Sequence, residues 1–214
     1  MLEKKFVILA HARCGSTRLN DVFLSQGIKI ISEPYNSHST LKYLDVWGKE
    51  GFASSLDLIF SEYDGMKHIS DFSIIEQNQE IKNRCNTIFL YRENLLDAAI
   101  SLQYACITNV WTQYQINQEY GKEKVFLRID DILFSLKHLK RHFLHMDDNC
   151  FVVSYEQIYY GDNQKKLIKD IFDFVGCKIV DLDMIMDMID KKNKINRFSW
   201  KELILNYDDI KDLA

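Results

Sequence analysis

Three short segments of this chain are apolar at nearly every position: Phe6-Val-Ile-Leu-Ala10, Thr87-Ile-Phe-Leu-Tyr91 and Cys150-Phe-Val-Val-Ser154. A strand with one wet face alternates apolar and polar side chains. A strand apolar throughout is covered on both faces, which is the condition of a parallel sheet sandwiched between helices. Each run stops at a polar turn and gives way to helical spacing. Leu19, Val22 and Phe23 precede Gln26-Gly27, a helix ending at a glycine. Asn94 is placed to cap a helix with Asp97 in its first turn and Leu95, Ala98, Ala99, Leu102 and Cys106 along one stripe. Further helices are expected over 74–83, from Asp130 to His145 (Ile132, Leu133, Leu136, Leu139 and Phe143 inward), over 163–175 and over 182–190. Ile28–Ile31 and His68–Ser70 read as two more short strands, and 38–63 stays ambiguous because Gly48 and Gly51 interrupt its weak periodicity. With 8 Gly and a single Pro, the chain lacks the turn residues of an all-β sandwich. The expectation is an α/β domain, three layers thick, with a central mostly parallel sheet flanked by helices. No linker or repeat divides residues 1–214, so they read as one domain.

Ligands of such sheets sit beyond the carboxyl ends of the strands, so the turns leaving them are where chemistry belongs. A net charge of −4 argues against nucleic acid, which needs a basic surface, but leaves room for one anion in a local pocket. The 5 cysteines (Cys14, Cys85, Cys106, Cys150 and Cys177) are scattered, with no C-x-x-C pair and no histidine at metal spacing. They read as free thiols in a reduced compartment, mostly packed inside, with no metal. The opening apolar run of 5 residues is too short for a signal peptide or a transmembrane segment, and a cytoplasmic protein is expected.

The first turn is His11-Ala12-Arg13-Cys14-Gly15-Ser16-Thr17-Arg18. Small residues at a helix N-terminus let successive N–H groups converge on phosphate or sulfate oxygens. The Gly-Lys-Ser/Thr of nucleotide-hydrolysing P-loops is missing, and Arg13 stands before the glycine instead. A plain strand-to-helix turn capped by Ser16 or Thr17 is the competing reading. The second turn begins at Arg92, where nucleotide hydrolases place an acid for Mg²⁺. An arginine there favours direct pairing with an anion, and Ser101 lies on the helix that follows. A solvated strand end and an ordinary helix-face serine are the alternatives.

Taken together, Arg13-Cys14-Gly15-Ser16-Thr17 and Leu90-Tyr91-Arg92…Ser101, about 75 residues apart, resemble the 5′-phosphosulfate loop and the 3′-phosphate signature of sulfotransferases. Cys14 stands where carbohydrate sulfotransferases often carry serine. Ile31-Ser32-Glu33-Pro34 resembles the Gly-Glu-Pro segment of the bacterial trehalose and nodulation-factor enzymes, and Val153-Ser154-Tyr155-Glu156-Gln157 their late strand. Cys106–Trp111 and Asn206-Tyr207-Asp208-Asp209-Ile210 resemble two more of their segments. The resemblance is patchy and weakest over 38–86 and 112–149.

The resemblance implies a P-loop-like sulfotransferase fold and transfer of a sulfonyl group from 3′-phosphoadenosine 5′-phosphosulfate (PAPS) to a hydroxyl of a carbohydrate or glycolipid, releasing adenosine 3′,5′-bisphosphate without a metal. Arg13 with the N–H groups of residues 14–18 (Cys14, Gly15, Ser16, Thr17 and Arg18) would hold the 5′-phosphate, and Arg92 with Ser101 the 3′-phosphate. Glu33 would be the base, with His11, His38 and His68 as rivals. Arg197 or Lys194, in the basic stretch 191–197, would close over the nucleotide, and Trp111 and Tyr114 would offer a platform for a sugar ring. Both of the last two assignments have plain surface or core readings beside them. Lys137, His138, Lys140, Arg141 and His142 read as the wet face of the 130–145 helix. The resemblance also admits a homodimer. The competing functions are a small-molecule P-loop kinase and a catalytically silent nucleotide- or glycan-binding protein.

Overall fold

A computed structural model describes residues 5–36, 41–70, 74–111, 123–190 and 199–213. Five strands form one sheet: β1 (Phe6–Ala10), β2 (Ile30–Ser32), β3 (Gly65–Ile69), β4 (Asn86–Tyr91) and β5 (Cys150–Ser154), in the order β2-β3-β1-β4-β5, with every pair parallel. The apolar runs behave as their composition requires. Along β1, Phe6, Ile8 and Ala10 enter the core on one face while Val7 and Leu9 enter the core on the other.

The helices are α1 (Ser16–Ser25), α2 (Leu41–Glu50), α3 (Phe52–Glu62), α4 (Ile75–Arg84), α5 (Leu95–Thr108), α6 (Ile129–Arg141), α7 (Tyr155–Tyr160), α8 (Gln164–Val175), α9 (Leu182–Ile189), α10 (Trp200–Leu203) and α11 (Tyr207–Ile210). One face of the sheet packs on α1, α8 and α9 through Phe23, Ile168, Phe172 and Ile185. The opposite face packs on α2, α3 and α4 through Tyr43, Leu56, Ile59 and Ile81. A third cluster joins α5, α6, α10 and α11 around Leu96, Ile100, Ile132, Leu139 and Ile210. This is the expected three-layer α/β architecture. Among the described residues no helix is long and apolar enough to cross a membrane.

Several local expectations are corrected. The segment 38–63, where described, is two helices, and Gly48 lies inside α2 rather than ending it. Its cost of about 1 kcal/mol is tolerable because Tyr43 and its neighbours pay back that loss by packing. The helix expected to run from Asp130 to His145 starts at Ile129 and stops at Arg141, and His142–His145 tighten into a 3₁₀ turn. That change of pitch turns His142 inward (1% exposed), while Leu133 faces out. Strand β3 is longer than expected and starts at Gly65 because its register follows β1 from the first residue.

Candidate functional site

Strand β1 is flanked by β3 and β4, and the chain leaves it for α1 at the crevice where the strand order reverses. The α1 helix begins at Ser16, with Gly15 at φ 82° as the residue before it. Neither Ser16 nor Thr17 caps the helix, and Gly15 has no side chain to do so; the Arg18 and Leu19 N–H groups donate to the Gly15 carbonyl at 3.1 and 3.2 Å, and an oxyanion at this end would draw on the N–H groups before them. A Cβ on Gly15 would lie 2.7 Å from Tyr155 Cδ2 and 2.8 Å from Tyr159 Cε2. Two tyrosines of α7 therefore roof the loop, and Tyr159 also donates a hydrogen bond from its hydroxyl to the Gly15 carbonyl at 3.0 Å. Beneath it, Cys14 is buried, donates to the His11 carbonyl at 2.9 Å, and has its thiol pushed up to about 11 by burial.

The guanidinium of Arg13 leaves the loop sideways. Its Nε donates to Ser101 Oγ at 2.9 Å and its Nη1 to the Trp111 carbonyl at 2.9 Å. Burial, then the nearby Arg92 charge, lower its pKa from the usual arginine value. The first turn thus meets the helix that follows the second, far away in sequence, at one hydrogen bond. Trp111 contributes its carbonyl; the residue is 43% exposed, with the indole N–H donating to Asn109 Oδ1 at 3.1 Å.

Arg92 pairs with Asp97 at 2.8 Å, has Glu156 3.7 Å from its Nε, and lies over the Tyr155 ring, 4.8 Å from its centroid. Glu156 in turn accepts the Glu93 N–H at 2.9 Å at the start of α5. A phosphate reaching Arg92 would therefore share its guanidinium with two carboxylates, whereas Arg13 and the loop N–H groups face no such competitor among their described hydrogen bonds.

Glu33 follows β2, with φ 50° and its N–H donating to the Lys67 carbonyl at 2.7 Å. Its Oε1 lies 2.6 Å from Lys67 Nζ, and its Oε2 accepts from Asn36 Nδ2 at 2.9 Å. Burial alone would raise its pKa; the Lys67 charge and hydrogen bond, with Asn36 and His68, outweigh that and hold the carboxyl below its ordinary value. Lys67 also donates to Thr17 Oγ1 at 3.0 Å. One buried ammonium thus links the first-turn loop to the candidate base.

Sequence reasoning missed Lys67, although a signal was there. A lysine in the middle of Gly65-Met-Lys-His-Ile69, a strand covered on both faces, has to be paired. Tyr159 was missed as well, since nothing in the linear sequence marks it as the roof of a loop 144 residues away.

The rival bases separate cleanly. His11 donates from Nδ1 to the Ala12 carbonyl at 2.6 Å and accepts the Arg92 N–H at Nε2 at 2.9 Å. Both ring nitrogens are spent on backbone, and burial drives its pKa down to about 4. His68 is fully buried and likewise lowered to about 4, first by burial. His38, Tyr114, Lys194, Arg197 and the rest of 191–197 lie outside the described residues. Among the described residues no group of three or more His, Cys, Asp or Glu is arranged to hold a metal ion. The non-glycine residues with left-handed backbone among those described are Arg13, Glu33 and Asn109. Arg13 lies in the first-turn loop, Glu33 is the candidate base and Asn109 accepts the Trp111 indole N–H; such backbone costs on the order of 1–3 kcal/mol each.

No protein-family model and no curated protein matches the sequence. Among solved structures, the chain is similar to the crystal structure of mouse sulfotransferase SULT7A1 complexed with PAP, with 16% sequence identity and a TM-score of 0.47. The similarity covers 94% of this chain and 66% of that one, so this chain spans just under two thirds of its neighbour's length.

Proposed function

We infer that the chain transfers a sulfonyl group from PAPS to a hydroxyl of a carbohydrate or glycolipid. The reading is carried by the 2.9 Å hydrogen bond from Arg13 to Ser101, which joins the two sequence motifs into one cationic crevice at the ends of β1 and β4. A kinase reading would need a Gly-Lys-Ser/Thr in the loop, and the loop has none.

The donor supplies the leaving group: its S–O bond to the 5′-phosphate breaks as an acceptor oxygen bonds to sulfur, and the electron pair departs on the phosphate oxygen. The chain's residues do the rest. Arg13 and the first-turn N–H groups of α1 stabilise the negative charge growing on that phosphate, a role of positioning and electrostatics. Arg13 does not protonate it, because a guanidinium keeps its proton at neutral pH. Ser101 and Arg92 orient the 3′-phosphate, with Asp97 giving way on Arg92. Glu33 takes the proton from the acceptor hydroxyl.

Glu33→Gln is expected to fold and to bind adenosine 3′,5′-bisphosphate, while transfer of labelled sulfate to a glycan panel falls by about 10²–10⁴-fold, the usual contribution of a positioned base. Arg13→Ala is expected to lose nucleotide binding in calorimetry. Full turnover by Glu33→Gln would remove the carboxylate from the mechanism. Absence of nucleotide binding by the unaltered protein would end the sulfotransferase reading itself.

A further inference from the structure

Lys67 holds Glu33 twice, by its backbone carbonyl and by its ammonium, and the second hold stands in the way of the chemistry assigned to Glu33. With Oε1 on Lys67 at 2.6 Å and Oε2 on Asn36 at 2.9 Å, both carboxylate oxygens are already accepting hydrogen bonds. A base clamped in that way binds a proton weakly. The Lys67 side chain is 3% exposed, so its charge cannot leave Glu33 unless another anion takes the carboxylate's place. Its other described contact is Thr17 Oγ1 at 3.0 Å, in the first turn of α1 where the loop would hold an oxyanion. An ammonium has three donors, and these two contacts use two of them. The anion site and the base therefore compete for one buried cation.

We propose that an oxyanion seated on the Arg13–Thr17 loop draws Lys67 from Glu33, so that occupancy of the donor site is what frees the carboxylate to accept the acceptor's proton. This rests on the sulfonyl-transfer reading and adds an order of events to it: donor first, then deprotonation of the acceptor. The coupling is reciprocal, since anything that neutralises Glu33 leaves Lys67 free for the donor. The ionisable groups around this pair are Lys67 and His68 from β3, and Cys14 and Asp21 from the loop and α1, with Asn36 and Thr17 as neutral partners. At neutral pH His68 is neutral and the Cys14 thiol protonated; His68 takes up its proton only near 4, where the carboxylates titrate. Asp21 also feels the Lys67 charge, and Asp21 and His68 are the two neighbours whose titrations fall near that of Glu33.

The test is a carbon-13 NMR titration of glutamate-labelled protein, with the Glu33 carboxyl identified by its loss in Glu33→Gln. Glutamate labelling leaves Asp21 silent. With saturating adenosine 3′,5′-bisphosphate, the Glu33 carboxylate is expected to bind its proton about tenfold more tightly than without it. In Lys67→Gln the midpoint should start high and stay put when nucleotide is added. Affinities give an independent check that needs no assignment. Glu33→Gln should tighten nucleotide binding about tenfold in the Lys67 protein and much less in the Lys67→Gln background. Calorimetry on the same samples separates the two ways of being wrong. Binding heat with an unmoved Glu33 midpoint overturns the coupling alone, and no binding heat overturns the transfer reading beneath it.

Discussion

Gly15 shows how much a single position carries. It has φ 82°, and its missing side chain is what lets Tyr155 and Tyr159 close to 2.7–2.8 Å of where a Cβ would stand. Gly15→Ala is expected to cost about 2 kcal/mol, from left-handed strain plus displacement of the rings. It should also weaken nucleotide binding, because the loop's N–H groups turn with the backbone. Urea unfolding and calorimetry on one preparation would read both. The glycine and its neighbours Arg13 and Ser16 were visible in the linear chain as a candidate anion cradle. That Lys67 has to be paired is legible from its strand; which partners it finds is not, because Thr17 and Glu33 lie 50 and 34 positions away and converge only through the parallel pairing of β2, β3 and β1.

Among the elements, α7 has the largest influence for its length. It is only Tyr155–Tyr160, too short to be stable alone, and it is held by its first turn. Ser154 accepts the Gln157 N–H at 3.1 Å, Gln157 returns a bond to the Ser154 N–H at 2.9 Å, and the Ser154 hydroxyl donates to Glu93 at 2.7 Å. From that anchor α7 places Tyr159 on the loop before α1 and Tyr155 and Glu156 on Arg92. Ser154→Ala removes the cap and the link to Glu93 together. It is expected to cost about 1–2 kcal/mol and to loosen nucleotide binding at a distance from the ligand. A stability loss with unchanged nucleotide affinity would show that α7 roofs the loop without shaping it. The resemblance matched Val153–Gln157 to the end of a late strand; the structure starts a helix at Tyr155, capped through the Ser-x-x-Gln spacing.

Across the molecule, the buried histidines make folding sensitive to acid. His11 and His68 have pKa values lowered to about 4 in the folded chain, against about 6.5 when unfolded. Below pH 6.5 the unfolded chain gains protons that the folded one cannot take up, so stability is lost as pH falls from 6.5 towards 4. The loss is about 2 kcal/mol per histidine by pH 5. Glu33, held below its ordinary value by Lys67 despite its burial, adds to this loss at still lower pH as its ion pair is neutralised. Urea midpoints at pH 7, 6 and 5 should fall in that order, and His11→Asn should flatten the curve; a flat profile in the unaltered protein would refute this account. The same contrast of local and long-range effects separates what could be read early from what could not. Apolar runs such as Phe6–Ala10 and the spacing of the helical stripes are short-range patterns, and burial follows from them directly, so the three-layer parallel α/β architecture was legible in the linear chain. So were the two basic turns. Which partner each cation finds was not. Arg13 turning to Ser101, Arg92 engaged by Asp97 and Glu156, and Lys67 shared between Thr17 and Glu33 all depend on strand order, because charges interact through space and the chain records only their order along it.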